Sequence, residues 1–313
     1  MNKYAPIALF TYSRVDHTRE AVESLLRNKE SASSDLFIFS DGPKTEEKRK
    51  AVEENREYIH SIKGFKSIHI IEHETNQGLA NSLIAGITEV VSKHGRVIVV
   101  EDDLILSPYF LQFMNEALDK YENVEKVGAI TAYCPIMNAN LPETYFLRYF
   151  HCWGWGTWKR SWDLLNLDTK YLLRKMRWKT RKFNLEGGIN NYGMLYCQKV
   201  GLVDSWFIRF YASLFLAEKL TLFPGRSLVS NHGLDGSGTH CKKNGSESGN
   251  DNLDVNSNTT AIPIKDIPIE ENDYMYRLYS ESFHAKKTKR EKGKYLLKHT
   301  KSFIRRLLYI DCL

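Results

Sequence analysis

The chain has 313 residues, of which 42% are hydrophobic, 12% aromatic and 26% charged. This ordinary globular composition excludes collagen-like, fibrous and wholly disordered proteins. Lysine and arginine total 44 against 38 acidic residues, a formal charge of +6, but residues 284–313 alone carry +8. The rest of the chain carries −2, which argues against a body that binds nucleic acid, and we predict no nucleic-acid partner.

Signals for the cellular compartment are few. The apolar stretch at residues 6–10 is too short for the core of a signal peptide. No apolar run reaches the roughly 18 residues that a membrane-spanning helix needs. The five cysteines are odd in number and never spaced C-x-x-C, as expected in a reducing compartment. These features predict a cytoplasmic protein.

The first half of the chain alternates strand and helix signals. In chain order, the patterns predict a strand at 6–11, a helix at 18–26, a strand at 35–40, a helix at 45–62, a strand at 67–71, a helix from residue 76 and a strand at 96–100. Continuous β-branched strands separated by helices indicate an α/β fold. We expect a Rossmann-like, mostly parallel central sheet with helices on both faces.

The second half has a different composition. An aromatic segment at 151–158 is followed by a basic stretch at 170–182, which we interpret as a solvated helix face, with a surface for an anionic acceptor as the alternative. Residues 225–258 are rich in Gly, Ser and Asn and predict a long loop.

Several catalytic motifs are absent from the sequence. It contains no G-x-x-x-x-G-K-[ST] loop, no G-x-G-x-x-G after the first strand, no H-E-x-x-H and no G-x-S-x-G. These absences argue against P-loop NTPases, Rossmann dehydrogenases, zincins and common hydrolases.

The strongest chemical signal is the acidic triplet Glu101-Asp102-Asp103, directly after the most apolar strand. Ligands of open α/β sheets bind at the carboxyl edge of the strands. Three adjacent carboxylates repel one another unless a cation compensates them. Oxygen ligands suit Mg²⁺ or Mn²⁺, which take one or two carboxylates together with phosphate oxygens. The alternative is a solvated acidic turn.

The segment Val99–Leu104, followed by Ser107–Phe110, resembles the metal-binding motif of GT-A glycosyltransferases. The resemblance is to the N-acetylglucosaminyltransferase I-like and family 2-like group, in which Glu-Asp-Asp replaces Asp-x-Asp. It implies a GT-A fold and a nucleotide-sugar donor. It also implies Asp103 as the direct ligand of Mn²⁺ or Mg²⁺ and Asp102 as a contact of the sugar or ribose.

Three further features match the family in order. Thr11 to Arg14 ends the first strand, where the family places an arginine on the nucleotide diphosphate. Asp41 ends the second strand, where an aspartate meets the uracil or ribose. Asn76 and Gly78 open the helix that covers the nucleotide. The resemblance therefore implies Thr11, Arg14, Asp41, Asn76 and Gly78 as donor-binding residues.

The aromatic segment matches a family region that borders the donor sugar and the acceptor. The resemblance assigns Trp153, Gly154 and Trp155 to the acceptor and sugar side. Tryptophan faces stack on the C–H surfaces of sugars, and glycine lets the backbone approach a ligand. The alternative is a buried aromatic cluster.

Val203–Trp206 aligns with the family segment that carries the catalytic base, which implies Asp204. An inverting transfer needs one carboxylate to accept the proton of the acceptor hydroxyl, and apolar neighbours are expected to raise the pKa of Asp204 by desolvation. The alternatives are a helix N-cap at Asp204, or a base at Asp163 or Glu218.

Val229–Gly233 resembles the closing family segment Val-Ser-His-Gly with one residue inserted. The resemblance places His232 at the diphosphate or the metal, among the donor-binding residues.

The C-terminal segment has the pattern of an interfacial helix. In residues 295–308 the apolar side chains group on one helical side and the basic ones lie elsewhere. We predict that residues 286–308 contact an anionic membrane surface. The alternatives are docking on the body or an oligomer contact.

Together these features predict a metal-dependent, inverting hexosyl- or N-acetylhexosaminyltransferase with a UDP-sugar donor. The predicted acceptor is a glycan or lipid-linked glycan of bacterial surface polysaccharide or lipopolysaccharide assembly, at the inner face of the cell membrane. Residues 1–130 form the nucleotide-sugar-binding half, 131–265 the acceptor-binding half with its own lobe, and 266–313 a basic amphipathic, helical tail. The alternatives are a sugar-phosphate nucleotidyltransferase and a non-catalytic carbohydrate- or membrane-binding protein of the same fold.

Overall fold

The computed structural model describes residues 4–136, 141–233, 254–258 and 260–285, so the segment 286–308 lies outside the described residues. The strands are β1 (Ile7–Thr11), β2 (Asp35–Ser40), β3 (Ser67–Glu72), β4 (Arg96–Glu101), β5 (Leu104–Leu106), β6 (Val127–Thr131), β7 (Thr144–Leu147), β8 (Trp155–Trp158), β9 (Leu220–Pro224) and β10 (Val229–Asn231). The helices are α1 (Val15–Leu26), α2 (Glu46–Ser61), α3 (Leu79–His94), α4 (Phe110–Lys120), α5 (Lys159–Trp162), α6 (Thr169–Met176), α7 (Thr180–Phe183), α8 (Asn191–Lys199), α9 (Trp206–Leu216) and α10 (Asp273–Ala285). Within these ranges, no helix has the length and apolar character that crossing a bilayer requires.

Eight strands form one central sheet in the order β3-β2-β1-β4-β8-β6-β9-β7. The first four strands of the chain pair in parallel. Strand β8 runs antiparallel to both of its neighbours, β4 and β6, and β7 runs antiparallel to β9. The remaining strands share one direction, so the sheet is mostly parallel. The predicted α/β fold, consistent with a GT-A fold, is confirmed.

Both faces of the sheet are buried. Along β1, Ile7 and Leu9 contribute to one hydrophobic core, whereas Ala8 and Phe10 contribute to the other. Each core is completed by helices packed against that face. The continuous apolar strands of the sequence have this cause, because a strand covered on both sides has no solvent-facing positions.

The predicted elements of the first half agree with the structure to within a few residues. Helix α1 starts at Val15, three residues earlier than predicted, since the backbone N–H of Thr18 donates to the carbonyl oxygen of Arg14. In the second half, β10 lies inside the stretch predicted as a long loop and pairs with β5 in a separate two-stranded sheet. The loop prediction is therefore wrong for residues 229–231.

The two halves of the chain share the central sheet, because β8 of the second half lies between β4 and β6, two strands that begin in the first half. Helix α10 closes the far end, where Met275 and Tyr279 are fully buried and the hydroxyl of Tyr279 lies 3.0 Å from that of Tyr145. The sequence assigned α10 to the tail that begins at residue 266. The structure packs this part of the tail on the body.

Candidate functional site

The acidic triplet lies at the carboxyl edge of the sheet. Glu101 is the last residue of β4, and Asp102 and Asp103 form the turn that leads into β5. The Asp102 side chain is nearly buried, whereas that of Asp103 is more accessible. Strand β4 is central, with β1 and β8 on either side. The triplet therefore occupies the place where open α/β sheets bind ligands.

Arg14 joins the two aspartates. Its Nη2 atom donates to Oδ1 of Asp102 at 2.5 Å and to Oδ2 of Asp103 at 2.9 Å. The contact follows from topology, because β1 and β4 are parallel neighbours and their carboxyl ends meet. The Nη1 atom of Arg14 is buried and has no hydrogen-bond partner among the residues that the structure describes. A buried, unpartnered donor of this kind fits an anionic ligand.

The carboxylates of this site perturb one another. Burial raises the pKa of Glu101 to about 8, and the charges of Asp103 and Asp102 add to the effect. Burial also raises the pKa of Asp102 to about 6, against the opposing charge of Arg14. Burial by itself lowers the pKa of Arg14, but the two aspartates outweigh it and the net shift is upward. Three carboxylates facing one guanidinium leave uncompensated negative charge that favours a cation.

The carboxylates of the acidic triplet are oxygen ligands of the kind that a divalent metal ion takes. Across the described ranges, no three Asp, Glu, His or Cys side chains come together as a ready set of ligands. Mg²⁺ and Mn²⁺ do not require such a set, because substrate phosphates and water supply most of their oxygen ligands. Asp103 fits this chemistry, since its carboxylate is the more accessible of the two aspartates that Arg14 contacts.

The closing segment packs directly on Asp103. The backbone N–H of His232 donates to the carbonyl oxygen of Asp103 at 2.8 Å. A Cβ atom added at Gly233 would lie 2.2 Å from Oδ2 of Asp103, so any larger residue there would displace the Asp103 carboxylate. The inserted Asn231 accepts a 2.7 Å hydrogen bond from the N–H of Gly233 through its side chain. The His232 ring itself faces Glu20 of α1, with Nδ1 3.4 Å from the carboxylate.

Asp41 organises the predicted nucleotide loop. Its Oδ1 accepts hydrogen bonds from the N–H groups of Gly42 and Gln77, at 2.9 and 2.8 Å. Its Oδ2 accepts from the N–H of Gly78 at 3.0 Å and from the side-chain amide of Asn76 at 2.9 Å. Gly78 has φ +78°, a conformation that favours glycine. The carboxylate therefore joins the end of β2 to the start of α3, and the contact with a uracil or ribose stays a prediction.

Thr11 is buried, and its hydroxyl is used within the protein. It lies 2.7 Å from the hydroxyl of Thr18 and accepts a 2.9 Å hydrogen bond from the side chain of Asn55. Through these contacts Thr11 ties the end of β1 to α1 and α2. Its predicted contact with the donor stays a prediction.

Sequence reasoning missed Arg56 of α2. Its guanidinium donates to the carbonyl oxygen of His73 at 2.7 Å and to the hydroxyl of Ser40 at 3.2 Å, so it joins the ends of β2 and β3 beside the loop that Asp41 organises. The sequence contained a signal for this region of α2, because Asn55, the neighbour of Arg56, is a polar residue on the buried helix face that also carries Val52. Polar residues on or beside an apolar helix face indicate specific internal contacts.

The segment before β8 lies beside the acidic triplet. Trp155 pairs with Val99 in antiparallel register, so residues 152–154 run along the end of β4. Burial raises the pKa of the Cys152 thiol, and the nearby charge of Glu101 adds to the effect. The aromatic segment therefore approaches the acidic triplet, and its place beside the donor sugar and the acceptor stays a prediction.

Trp153 is partly exposed, whereas Gly154, which follows it, is buried. The Trp153 ring is partly exposed and packs edge-on against Tyr133 and His151, with ring centroids 4.5 and 4.9 Å apart. Gly154 has φ +58°, and a Cβ atom there would approach Phe110 to 2.9 Å. Their assignment to the acceptor and sugar side stays a prediction.

The assignment of Trp155 to the sugar side is wrong. Its side chain is 0% exposed, and its ring stacks on Trp206 with centroids 5.2 Å apart. Phe150 packs edge-on against the other side of the ring. A ring enclosed on both faces cannot present a face to a sugar, and Trp155 is a core residue.

Asp204 is exposed at the start of α9. Its side chain is 56% accessible, so apolar neighbours do not bury it as predicted. Oδ1 accepts a 2.9 Å hydrogen bond from Nη2 of Arg209 and a 3.4 Å one from the side-chain amide of Gln198. The N-cap interpretation is wrong, because the side chain of Ser205 accepts from the N–H of Ile208 and caps α9.

Topology separates Asp204 from the two alternative bases. Trp206 stacks on Trp155, the partner of Val99, so the start of α9 lies toward the carboxyl edge of β4. Asp163 follows α5 after the end of β8, which pairs with the first residue of β4. Glu218 precedes β9, which is parallel to β6. Both alternatives therefore lie at the opposite edge of the sheet, away from the acidic triplet.

Comparison with known proteins identifies a family. The sequence model described as Glycosyl transferase family 2 matches residues 7–186, more than half of the chain. The matched region includes the acidic triplet and the aromatic segment and ends before Asp204 and His232. No curated protein matches the sequence.

Solved structures match more weakly. TarS of S. aureus is 15% identical over 45% of this chain and 24% of the TarS chain, with a TM-score of 0.32. S. aureus TarS 1-349 in complex with UDP-GlcNAc is 15% identical over 41% and 33% of the two chains, with a TM-score of 0.31. Mannosyltransferase PcManGT from Pyrobaculum calidifontis, in complex with GDP-Man and Mn²⁺, is 11% identical over 69% of each chain, with a TM-score of 0.38. The chain spans about a quarter to a third of the TarS structures, and scores this low carry no information about its substrate.

Proposed function

Since the chain belongs to glycosyl transferase family 2 and is a glycosyltransferase, we propose that it moves a sugar from a UDP-sugar to a hydroxyl group of a glycan acceptor. The observation that carries the proposal is the contact of Arg14 with Asp102 and Asp103 at the carboxyl edge of β4. It combines a cation-binding carboxylate with a guanidinium whose second nitrogen is buried and unpartnered in the described structure.

The donor site is built from the ends of the first four strands. Nη1 of Arg14 donates to a diphosphate oxygen, since a guanidinium binds phosphate oxygens in two directions. The loop that Asp41 organises, with Asn76 and Gly78, covers the nucleoside. Asp102 contacts the sugar or ribose. Thr11 at the end of β1 contacts the hydroxyl of Thr18, which in turn lies 3.0 Å from the carbonyl oxygen of Arg14, so Thr11 supports Arg14 through Thr18.

We propose Asp103 as the residue that holds Mn²⁺ or Mg²⁺, with Glu-Asp-Asp serving in place of Asp-x-Asp as in the N-acetylglucosaminyltransferase I-like group. A bound divalent cation supplies positive charge to the leaving diphosphate. The N–H of His232 fixes the backbone of Asp103, and the missing side chain at Gly233 leaves room for the Asp103 carboxylate. The His232 ring reaches the diphosphate only if it leaves Glu20.

The transfer itself inverts the anomeric carbon. The acceptor oxygen forms a bond to that carbon as the bond to the UDP oxygen breaks, and the acceptor proton passes to the carboxylate of Asp204. Nη2 of Arg209 lies 2.9 Å from Oδ1 of Asp204 and positions this carboxylate at the start of α9. Trp153 and Gly154 border the space between donor and acceptor.

We propose that the acceptor is a glycan or lipid-linked glycan of a bacterial surface polysaccharide, assembled at the inner face of the cell membrane. The sequence pattern of residues 286–308 supports a peripheral contact with anionic lipid.

A thermal-shift titration with nucleotide sugars, with and without Mn²⁺, tests the donor assignment. A true donor at about 100 times its Kd stabilises the fold by about 2.7 kcal/mol. We expect a UDP-sugar with Mn²⁺ to stabilise the native chain by about this amount. It should not stabilise the Asp103→Asn variant. Asp163→Asn is the control, because Asp163 is an exposed aspartate at the opposite edge. An equal shift for Asp103→Asn and the native chain would contradict the site.

A further inference from the structure

The second half of the domain carries a strongly basic surface with exposed apolar side chains. Residues 169–183 contain seven basic residues and no acidic one, in a body whose net charge is −2. We refer to the exposed side of residues 167–179, which spans α6 and the turn before α7, as the α6 face. The buried side of α6, with Leu172, Leu173 and Met176, packs into the core and positions the face rigidly.

Three large apolar side chains are exposed on the α6 face. Trp178 is 81% accessible, Leu167 51% and Tyr171 37%. Tyr171 lies on α6, Leu167 precedes the helix and Trp178 follows it. Large apolar side chains grouped on a surface mark an interaction site.

The basic side chains of the α6 face are available to a partner. Lys170, Arg174, Lys175 and Lys179 are exposed. None of the four forms an ion pair with any residue of the described structure, although Arg174 and Lys175 lie over the ring of Tyr171. The neighbouring Arg181 and Lys182, in contrast, pair with Glu186 and Glu271. The unpaired positive charge is therefore concentrated on the part of the segment that also exposes Trp178.

We propose that the α6 face binds the surface of an anionic lipid bilayer. Tryptophan and tyrosine prefer the interface between lipid and water, and lysine and arginine beside them contact acidic headgroups. An exposed leucine at position 167 favours a bilayer over a soluble polyanion, because a polyanion in water offers nothing apolar to cover it.

The position of the chain end agrees with this assignment. The ring of His284 contacts the carbonyl oxygen of Glu186, so the chain leaves the described structure beside the turn that follows α7. The last described residues therefore lie beside the turn after α7, the helix that follows the α6 face in the chain. The α6 face is a second, separate membrane contact, and its binding does not depend on sugar transfer.

Vesicle sedimentation with the full chain tests the inference. Vesicles of phosphatidylcholine alone are compared with vesicles that also contain phosphatidylglycerol. We expect the native chain to prefer the anionic vesicles. Lys175→Gln with Lys179→Gln should lower its partition coefficient about tenfold or more, and Trp178→Ala should lower it several-fold. Lys48→Gln with Lys50→Gln removes the same charge from exposed positions of α2 and should have no effect.

Each variant is also measured together with Lys298→Gln and Lys301→Gln, so that membrane binding by the tail does not mask the effect of the α6 face. The inference is overturned if the α6 variants bind anionic vesicles like the native chain in both backgrounds. It is also overturned by two results together. In the first, Trp178→Ala leaves binding to anionic vesicles unchanged. In the second, Lys175→Gln with Lys179→Gln lowers binding to soluble dextran sulfate as much as binding to vesicles, which would indicate a polyanionic acceptor. Metal-dependent turnover of the donor, measured without vesicles, should be unchanged and separates this test from that of the transfer site.

Discussion

Gly233 offers a sharp test of the site, because its substitution acts on Asp103 without changing any charge. A Cβ atom at position 233 would lie 2.2 Å from Oδ2 of Asp103 and 2.7 Å from its Cγ, and contacts of a Cβ atom below 3.0 Å essentially never occur. In Gly233→Ala the Oδ2 atom must therefore move by about 0.8 Å. The side chain of Asp103 is flexible and partly accessible, so the move itself is easy.

The consequence should appear in function more than in stability. Metal sites tolerate about 0.2 Å of error in ligand distance, and a misplacement of about 1 Å can reduce a rate about 100-fold. We expect Gly233→Ala to raise the Kd for Mn²⁺, measured by calorimetry with UDP present, by about tenfold or more. We expect kcat to fall about 100-fold, while the free energy of unfolding falls by less than about 1 kcal/mol.

Gly95→Ala is the matched control. Gly95 ends α3 with φ +79° and open space around the missing Cβ atom, so alanine there costs about 1 kcal/mol of stability. It lies at the amino edge of the sheet and should leave the Kd for Mn²⁺ unchanged. The reasoning is refuted if Gly233→Ala binds Mn²⁺ and turns over the donor like the native chain.

Three further predictions concern the other charged groups. Arg14→Lys keeps a positive charge but loses the guanidinium that contacts both aspartates of the triplet, so the Kd for the UDP-sugar in calorimetry should rise about tenfold or more. Asp204→Asn removes the proposed proton acceptor and should lower kcat about 100-fold or more in steady-state assays, whereas Asp163→Asn should not. Burial lowers the pKa of His151 to about 3, so the folded protein keeps this ring neutral while the unfolded chain takes up a proton below about pH 6.5. The free energy of unfolding, measured by urea denaturation, should therefore fall by about 1–2 kcal/mol from pH 7 to pH 5 because of this ring. His151→Gln should remove this part of the loss.

Each of these expectations has a result that would contradict it. A native donor Kd in Arg14→Lys would show that the guanidinium does not reach the diphosphate. Equal kcat values for Asp204→Asn and the native chain would leave the reaction without its proposed base. If His151→Gln shows the same pH dependence as the native chain, the buried ring is not the group that is protonated on unfolding.

The apolar strands and the acidic triplet could be read from the sequence, since both depend on local pattern. A strand covered on both faces must be continuously apolar, as residues 97–100 of β4 are. Parallel strands joined by helices bring their carboxyl ends to one edge, so the neighbourhood of Arg14 and Asp103 follows from the order of elements. Only the structure shows that Arg14 contacts both Asp102 and Asp103.

The same two-sided burial explains the error at Trp155. In a sheet with one solvent-exposed face, apolar and polar residues alternate along each strand, and this alternation separates buried from exposed residues. In β8 every residue is buried, so the pattern of the aromatic segment contained no signal that Trp155 faces the core while Trp153 lies at the surface. The choice depends on Trp206, which comes from a helix about fifty residues later in the chain.

The net charge of the chain shows the same division. Sequence alone determined the net charge of +6 and the location of the positive excess in residues 284–313, because composition and order need no coordinates. Local pattern likewise determined the strands and the carboxylates that follow them. Only the tertiary structure decided which charges are compensated: Arg14 by two aspartates and Asp204 by Arg209, whereas Lys170, Arg174, Lys175 and Lys179 of the α6 face form no ion pair with a described residue. The reason is physical, because compensation depends on distances of a few ångströms between side chains, and packing sets those distances.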